Sequence, residues 1–191
     1  MWRPDLRNRI TMLDDPAEVL GACLKKLGYS INSGDPGELD KARREAVAQK
    51  PLLRAYLNAE ARDQIVSGDI TAAQLWATTS QQAMDAAPAL GFVYPAEGFA
   101  LYADNAVVLR ESRRERLAHE FIDYLLRAAV AADIVKATRT ATANRAVPEF
   151  VRSSATLYPP PETLRLGEWF QPLPAAAQRL RDRLWTEIKS A

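Results

Sequence analysis

The fold is decided by the stretch RITMLDDPAE at residues 9–18, which joins a short apolar strand directly to the start of a helix. The apolar and β-branched side chains of residues 9–13 predict the strand. Asp15 then fits the N-cap of a helix, Pro16 its first residue and Glu18 its third, which is an acidic version of the capping box. A strand that feeds straight into a helix is typical of α/β domains, so this class is the first expectation.

The same alternation of strands and helices continues along the rest of the chain. Further strands are predicted at about residues 52–57, 70–75, 91–95, 99–102 and 105–109. Helices are predicted at about residues 15–27, 36–49, 58–67, 79–86, 112–126, 128–136 and 174–189, with turns and short helices in 148–167. This order predicts a mostly parallel sheet, in which ligands bind outside the carboxyl ends of the strands. Asp15 and Trp76 both fall at such ends.

Composition argues against several classes of function. The formal net charge of the 191 residues is +1, so charge gives no reason to expect a nucleic acid or an anionic membrane surface as partner. No apolar run approaches the roughly 20 residues of a membrane span, and the first residues carry no signal-peptide pattern. Cys23 is the only cysteine and lies in an apolar helical stretch, which predicts a buried, inert thiol and no internal disulfide.

Metal and nucleophilic chemistry have no support in the sequence. His119 is the only histidine, and it stands beside Glu120 on a predicted helix. One histidine and one cysteine supply neither a zinc ligand set nor a Ser-His-Asp triad. Glycine-rich phosphate loops are absent as well. We therefore expect no metal and no cofactor.

A scattered set of acids and aromatic rings is the strongest indication of a ligand. Each member lies at the end of an apolar run or at the start of a helix, and the set comprises Asp15, Glu18, Trp76, Tyr102 and Asp104. Carboxylates neutralise a cation, and the faces of aromatic rings attract it by roughly 0.5 to 2 kcal/mol per contact. Such a set suits an organic amine better than a metal ion or a phosphate.

A series of motifs follows in an order and spacing that is specific to one family. They are LDDPAEV at 13–19, KLGYSIN at 26–32, residues 68–76, YPAEG at 94–98, YADN at 102–105, HEFIDYLL at 119–126, TLYP at 156–159 and GEW at 167–169. Together they resemble the periplasmic spermidine/putrescine-binding proteins, which are members of the extracellular solute-binding class. The resemblance extends over nearly the whole chain.

This resemblance implies a periplasmic-binding-protein-like fold of type II, in which an amine lies in the cleft between two α/β lobes. It assigns residues 1–101 to the second lobe, 102–147 to a segment that returns to the first lobe, and 148–191 to a crossover and a second-lobe helix. The family's N-terminal part, with the export signal and most of the first lobe, has no counterpart in this sequence. The chain is therefore expected to correspond to a C-terminal fragment.

The resemblance also implies roles for individual residues. The carboxylates of Asp15 and Glu18 would face the ligand amines, and Trp76 would pack on the methylene chain. Tyr102 and Asp104 match an aromatic-x-Asp pair at the other acid site. Simpler interpretations stand beside these: a capping box alone for the first two acids, a core tryptophan, and a turn acid at a strand end.

Two positions depart from the family pattern and bear on which amine is bound. Thr79 stands where putrescine-preferring relatives can carry an acid. Phe170 stands where spermidine-binding relatives offer a polar amide, and Gln171, one residue later, is the candidate to replace it. The choice between putrescine and spermidine therefore stays open.

The function implied by the resemblance is polyamine binding, without chemistry, as the substrate-binding component of an ABC uptake system. Its partners would be a small-molecule polyamine and a membrane permease, and its location the periplasm. Two alternatives remain. One is a stable lobe or fragment that binds nothing by itself, and the other is a hydrolase that uses Asp15 and Asp104 as a carboxylate pair.

If residues 102–147 pack on a first lobe in the family, their apolar face has no partner within this chain. We expect that face to be exposed or to be covered by another chain, because exposed apolar patches favour self-association. Its members are Phe121, Ile122, Leu125, Leu126, Ile134 and Val135.

Overall fold

The computed structural model describes residues 1–147 and 154–191. Its strands are β1 (Ile10–Met12), β2 (Leu53–Tyr56), β3 (Ala72–Ala73), β4 (Phe99–Leu101) and β5 (Gly167–Trp169). Its helices are α1 (Pro16–Lys26), α2 (Pro36–Gln49), α3 (Ala61–Ser67), α4 (Ala77–Ala86), α5 (Glu115–Leu126), α6 (Ala128–Thr138), α7 (Pro161–Leu164) and α8 (Ala175–Ser190). Short 3₁₀ helices at Pro4–Leu6 and Lys50–Leu52 precede β1 and β2.

The helices α1 and α2 begin in the same way, because each has an Asp-Pro pair at its start. Asp15 Oδ1 accepts the backbone N–H groups of Ala17 at 2.7 Å and of Glu18 at 3.0 Å. Asp35 Oδ1 accepts the N–H of Glu38 at 2.9 Å. These bonds satisfy donors that the first turn of a helix leaves unpaired, and a cap of this kind contributes about 1 kcal/mol. Both predicted helix starts are confirmed.

The first three strands form one parallel sheet in the order β2–β1–β3. β1 lies in the centre, with Ile10 opposite Leu53 on one side and Ala72 on the other. β4 and β5 form a separate parallel pair, in which Leu101 lies opposite Trp169. Every strand pair within the described residues is parallel, as the sequence predicted. The residues that follow β1 and β3 therefore leave the sheet at the same edge, where α/β proteins bind ligands.

The β4–β5 pair is closely packed at its start because Gly167 has no side chain. A Cβ atom on Gly167 would lie 2.7 Å from Leu101 Cδ1, well inside van der Waals contact. Gly98, just before β4, has a φ of 108° and faces the carbonyl oxygen of Leu166. Glycine adopts that φ and that close approach without a steric penalty. The two strands can therefore approach each other only with glycine at both positions.

The main core lies between the sheet and the helices α1, α2 and α8. Its buried members come from all of these elements and are Ile10, Met12, Val19, Leu20, Cys23, Leu24, Leu39, Ala42, Ala46, Leu53, Leu184 and Ile188. Burial of each large aliphatic side chain stabilises the fold by about 1.5 to 3 kcal/mol. Burial also raises the pKa of the Cys23 thiol to about 12, so the expectation of a buried, inert cysteine is confirmed.

A second, smaller cluster forms around α6, where Ala131, Ala132 and Val135 pack with Val147. Helix α5 packs beside α6 but contributes no buried side chain of its own. Val135 was predicted to lie on the open apolar face, and this was wrong. The residue is only 5% exposed, because it points into the small cluster.

The rest of the predicted apolar face is open to differing degrees. Phe121 is 61% exposed, Leu126 60% and Ile134 38%. Ile122 and Leu125 are half-buried. The exposed members lie on α5 and α6, so the side of this helix pair that faces away from the small cluster carries large apolar side chains.

The strand predicted at 105–109 does not form. Val107 and Leu109 are 75% and 72% exposed. Apolar and β-branched residues favour a strand because they fit a half-buried pleated surface, and these side chains are not buried against one. The strand predicted at 70–75 forms, but it contracts to the two residues of β3.

The strand predicted at 91–95 does not form either. The ring of Tyr94 instead contacts two neighbouring rings, Phe92 at a centroid distance of 4.9 Å and Phe99 at 4.5 Å. The Tyr94 hydroxyl donates a hydrogen bond to the carbonyl oxygen of Thr156 at 2.6 Å. Aromatic packing thus replaces strand pairing before β4.

Part of the segment predicted to hold turns and short helices, residues 148–153, lies outside the described residues. In the remainder of that segment, Pro161–Leu164 forms the short helix α7. No helix within the described ranges is long and apolar enough to span a bilayer.

Candidate ligand-binding site

The carboxyl end of β1 leads to the first of the predicted site residues. β1 ends at Met12, and Asp15 and Glu18 follow at the start of α1, where the positive end of the helix dipole favours carboxylates. Asp15 caps the helix through its Oδ1 atom, so the simpler interpretation holds for this residue. It does not hold for Glu18, because the Glu18 carboxylate accepts a hydrogen bond from a distant tryptophan.

That tryptophan is Trp76, which follows β3 and stands at the N-cap of α4. Its Nε1 donates to Glu18 Oε1 at 3.0 Å, across 58 positions in the sequence. β1 and β3 are adjacent parallel strands, so their carboxyl ends bring the two residues together. Trp76 is half-buried, and the interpretation of a core tryptophan is not supported.

The surroundings of Glu18 disfavour its ionised form. Burial raises the pKa of the Glu18 carboxyl above its ordinary value, the hydrogen bond from Trp76 opposes this rise, and the charge of Asp15 adds to it. A cation that came into contact with this carboxylate would restore part of the stabilisation that burial removes. The site is therefore suited electrostatically to a positively charged group.

Tyr102 and Asp104 follow the carboxyl end of β4 and are both exposed. Partial burial raises the pKa of the Tyr102 hydroxyl, and the charges of Glu18 and Asp104 raise it further. The charge of Glu18, at the start of α1, therefore acts on the hydroxyl of Tyr102, which follows β4. Within this set, a hydrogen bond joins Glu18 and Trp76, while the charges of Asp15 and Asp104 act on their near neighbours Glu18 and Tyr102.

The structure places the other two predicted residues apart from this group. Thr79 lies in the first turn of α4 and lines a cavity of about 250 Å³ between α3 and α4, together with Ala59, Glu60, Arg62, Asp63 and Gln82. Gln171 follows β5, and its backbone N–H donates to Asn32 Oδ1 at 2.9 Å while its side chain is exposed. Among the described residues, neither the Thr79 nor the Gln171 side chain forms a hydrogen bond with Glu18 or Trp76.

Sequence reasoning missed Gln74, whose side-chain amide joins the ends of two strands. Gln74 Oε1 accepts the backbone N–H of Leu13 at 3.3 Å, and Gln74 Nε2 donates to the carbonyl oxygen of Glu18 at 3.4 Å. The available signal was a glutamine inside the apolar run 70–75, where a polar side chain needs a partner.

Sequence reasoning also gave Glu168 no role beyond its place in a motif. Its carboxylate forms an ion pair with Lys25 at 2.6 Å and accepts bonds from Ile31 N at 3.2 Å, Asn32 Nδ2 at 3.0 Å and the hydroxyl of Ser30. Burial alone would raise the pKa of Glu168, but these hydrogen bonds and the charge of Lys25 lower it to about 2. This ionised carboxylate anchors β5 to the loop that joins α1 and α2.

The donor set does not suit a metal ion. Within residues 1–147 and 154–191, no group of three or more His, Cys, Asp or Glu side chains is arranged to hold one. The acids of the site are instead combined with aromatic rings, which bind organic cations through their faces.

A family model described as bacterial extracellular solute-binding protein matches residues 1–161. The chain belongs to this family. Its description is that of a solute-binding protein, and the resemblance seen in the motifs is confirmed.

Curated relatives in this family carry polyamine names. The chain is 32% identical over 194 residues to a putrescine/cadaverine-binding protein of Pseudomonas aeruginosa. This alignment covers 96% of the chain and 55% of that protein. It is also 29% identical over 195 residues to the spermidine/putrescine-binding periplasmic protein of Escherichia coli. That alignment covers 100% of the chain and 56% of the relative. The chain therefore spans about half the length of the curated relatives it matches.

Solved structures of family members share the fold. A protein of Listeria monocytogenes assigned to spermidine/putrescine ABC transport superposes with a TM-score of 0.92 at 26% identity, covering 98% of this chain and 59% of that one. The Tp0655 lipoprotein of Treponema pallidum gives a TM-score of 0.87 at 25% identity, covering 97% and 59%. These structures confirm the periplasmic-binding-protein-like fold class, of which this chain contains a part.

Proposed function

We propose that the chain binds polyamines as the amine-contacting part of the substrate-binding component of an ABC uptake system. The observation that carries this proposal is the Trp76–Glu18 hydrogen bond, which joins a flat ring to a half-buried carboxylate at the carboxyl end of a parallel sheet. The ligands named for the similar proteins, which are putrescine, cadaverine and spermidine, support an amine of this class.

In the proposed complex, one ammonium group of the ligand binds the carboxylates of Asp15 and Glu18, and the other binds Asp104. Each ammonium exchanges water for charge-assisted hydrogen bonds. The rings of Trp76 and Tyr102 cover the methylene chain and attract the charged ends. The complex involves no covalent step, so Asp15 and Asp104 act as anions and not as a hydrolytic acid–base pair.

Thr79 and Gln171 supply neutral contacts at most in this proposal. Thr79 faces the cavity between α3 and α4, and Gln171 lies beside the end of β5. Neither residue adds a negative charge, so the anionic residues determine how many ammonium groups are held. In this proposal, neutral residues such as Thr79 and Gln171 affect only the relative affinity for putrescine and spermidine.

The proposal includes the domain assignment implied by the resemblance. Residues 1–101 and the helix α8 form the second lobe, and residues 102–147 form a segment that returns toward a first lobe. The separation of the main core from the small cluster around α6 supports this division. A membrane permease is the proposed partner and the periplasm the proposed location, since periplasmic binding proteins are among the similar proteins.

An NMR titration tests the proposed function. Putrescine and spermidine should shift the Trp76 indole N–H resonance and the backbone resonances of 102–104 in a saturable way, whereas uncharged 1,4-butanediol should not. Because the chain spans about half the length of its relatives, we expect an affinity far weaker than that of a full-length relative. Micromolar or tighter binding would contradict that expectation, and the absence of any saturable shift would overturn the proposed function.

A matched pair of variants makes this test specific. Glu18 and Glu38 are both the third residue of a helix that begins with Asp-Pro, but only Glu18 contacts Trp76. Glu18→Gln should weaken putrescine binding by about tenfold, which corresponds to the loss of one charge-assisted hydrogen bond. Glu38→Gln should leave it unchanged. Equal effects of the two variants would show that the titration reports overall charge and not a site.

A further inference from the structure

The segment 74–76 is joined to Glu18 twice, once to its backbone carbonyl by Gln74 and once to its carboxylate by Trp76. Gln74 Nε2 donates to the carbonyl oxygen of Glu18 at 3.4 Å, and two residues after Gln74 the indole of Trp76 donates to Glu18 Oε1 at 3.0 Å. The segment 74–76 and Glu18 therefore close a ring of hydrogen bonds. Within this ring, neither the backbone of Glu18 nor its carboxylate can move without breaking one of the two bonds.

The same glutamine is held by β1. Gln74 Oε1 accepts, at 3.3 Å, the N–H of Leu13, a buried residue that directly follows that strand. The backbone N–H of Gln74 donates to the carbonyl oxygen of Thr11 at 2.9 Å. Both polar atoms of the Gln74 side-chain amide are thus hydrogen-bonded. The residue connects the end of β1, the end of β3 and the first turn of α1.

We infer that Gln74 is a positioning residue of the amine site, which sets the orientation of the Glu18 carboxylate and the Trp76 ring through its amide bridge. This inference rests on the proposed function, and Gln74 itself does not touch the ligand. A preformed ring and carboxylate bind a slender cation more tightly than mobile ones, because less side-chain freedom is lost on binding.

The test compares Gln74→Met with a matched variant elsewhere in the fold. Gln49 is also a glutamine whose Nε2 donates to a distant backbone carbonyl, that of Met1 at 3.3 Å, and it is buried at the end of α2. Both substitutions remove an amide and keep the size of the side chain. Thermal stability should fall in both variants, so stability alone does not distinguish a positioning role from a structural one.

The distinguishing readout is the indole N–H resonance of Trp76, identified by its loss in Trp76→Phe. Gln74→Met should shift this resonance toward its position in Glu18→Gln, and it should weaken putrescine binding by about tenfold, the effect of one orienting hydrogen bond. Gln49→Met should do neither. An unshifted Trp76 resonance with an affinity within about twofold of wild type would overturn the inference.

Two further measurements keep the inference falsifiable if Gln74→Met fails to fold. Gln74→Glu retains an acceptor for Leu13 N but loses the donor to the Glu18 carbonyl, and it should shift the same resonance in a folded chain. In the wild-type chain, the Gln74 side-chain amide protons should exchange slowly with solvent, and rapid exchange would contradict the bridge. These readouts need no ligand, so a failure of polyamine binding would overturn the proposed function without deciding the positioning role.

Discussion

Glu18 and Glu38 occupy the same position in two helices that begin alike, yet their carboxylates have different partners. Glu18 Oε1 accepts the indole N–H of Trp76 at 3.0 Å, whereas Glu38 Oε2 accepts the hydroxyl of Ser33 at 2.5 Å. The first bond joins the segments that follow the adjacent strands β1 and β3, and the second stays within a local turn. Two equivalent helix starts therefore differ in chemistry because only one of them follows a strand that is paired with β3.

The raised pKa of Glu18 predicts a specific dependence of stability and binding on pH. The folded chain holds the Glu18 proton more tightly than the unfolded chain does, so the stability contributed by this group falls as pH rises above 4.5 through the raised pKa. An ammonium ligand prefers the ionised carboxylate, so putrescine affinity should rise over the same window. Denaturation and NMR titration at a series of pH values measure both trends.

The Glu18→Gln variant is the control for that prediction, because it cannot ionise at this position. Its stability should lack the fall above pH 4.5, and its putrescine affinity should be flat over the window in which the wild type gains. Parallel pH profiles in the variant and the wild type would show that other groups are responsible.

Glu168 predicts the opposite dependence on pH. Its pKa is lowered to about 2, so its contribution to stability is complete above its ordinary value of 4.5 and is lost as pH falls through about 2. Glu168→Gln should lower the free energy of unfolding at neutral pH by about 2 kcal/mol, because a charged acceptor of several hydrogen bonds is removed. The variant should also lose less stability on acidification than the wild type, as followed by urea denaturation. Exposed Glu162 on α7 provides Glu162→Gln as a control without either effect.

The close approach of β4 and β5 predicts that Gly167→Ala is destabilising. The added Cβ would lie 2.7 Å from Leu101 Cδ1, and overpacking of this kind costs about 1 to 3 kcal/mol. Gly91 has no atom within 4 Å of the corresponding position, so Gly91→Ala should leave the free energy of unfolding nearly unchanged. Thermal or urea denaturation measures both. The prediction fails if the two variants are equally stable.

The open face of α5 and α6 predicts concentration-dependent self-association. Phe121 is 61% exposed, and Phe121→Glu should shift the equilibrium measured by analytical ultracentrifugation toward the monomer. His119→Glu introduces the same charge on the same helix at an exposed polar position and should have a smaller effect. A wild-type chain that remains monomeric at high concentration would refute this prediction.

Local signals in the sequence were sufficient to predict the helix starts, and the alternation of strands and helices was sufficient to predict a parallel sheet. The side chains of Asp15 and Asp35 accept backbone N–H groups two or three residues further along the chain, so the geometry of these helix starts depends on neighbouring residues only. The strand predicted at 105–109 failed for the converse reason. A strand needs a partner and a surface to cover, and neither can be read from the apolar residues of the strand itself.

The candidate site was predictable as a set of residue types but not as a geometry. The acids and rings were visible because each lies at a strand end or helix start. The bond between Glu18 and Trp76 was not, because it depends on how β1 and β3 are paired across 58 positions of sequence. Gln74 was missed for the same reason, since its two side-chain partners belong to segments that meet only in the folded chain.

The burial of Cys23 has a practical consequence for measuring ligands. Its thiol is inaccessible, and its pKa of about 12 keeps it protonated at neutral pH, so thiol-reactive dyes should leave it untouched. A variant such as Ala103→Cys, at an exposed position between Tyr102 and Asp104, would then carry the one thiol that accepts a fluorophore. A fluorophore at this position would report binding of the proposed amine ligand without prior removal of the natural cysteine.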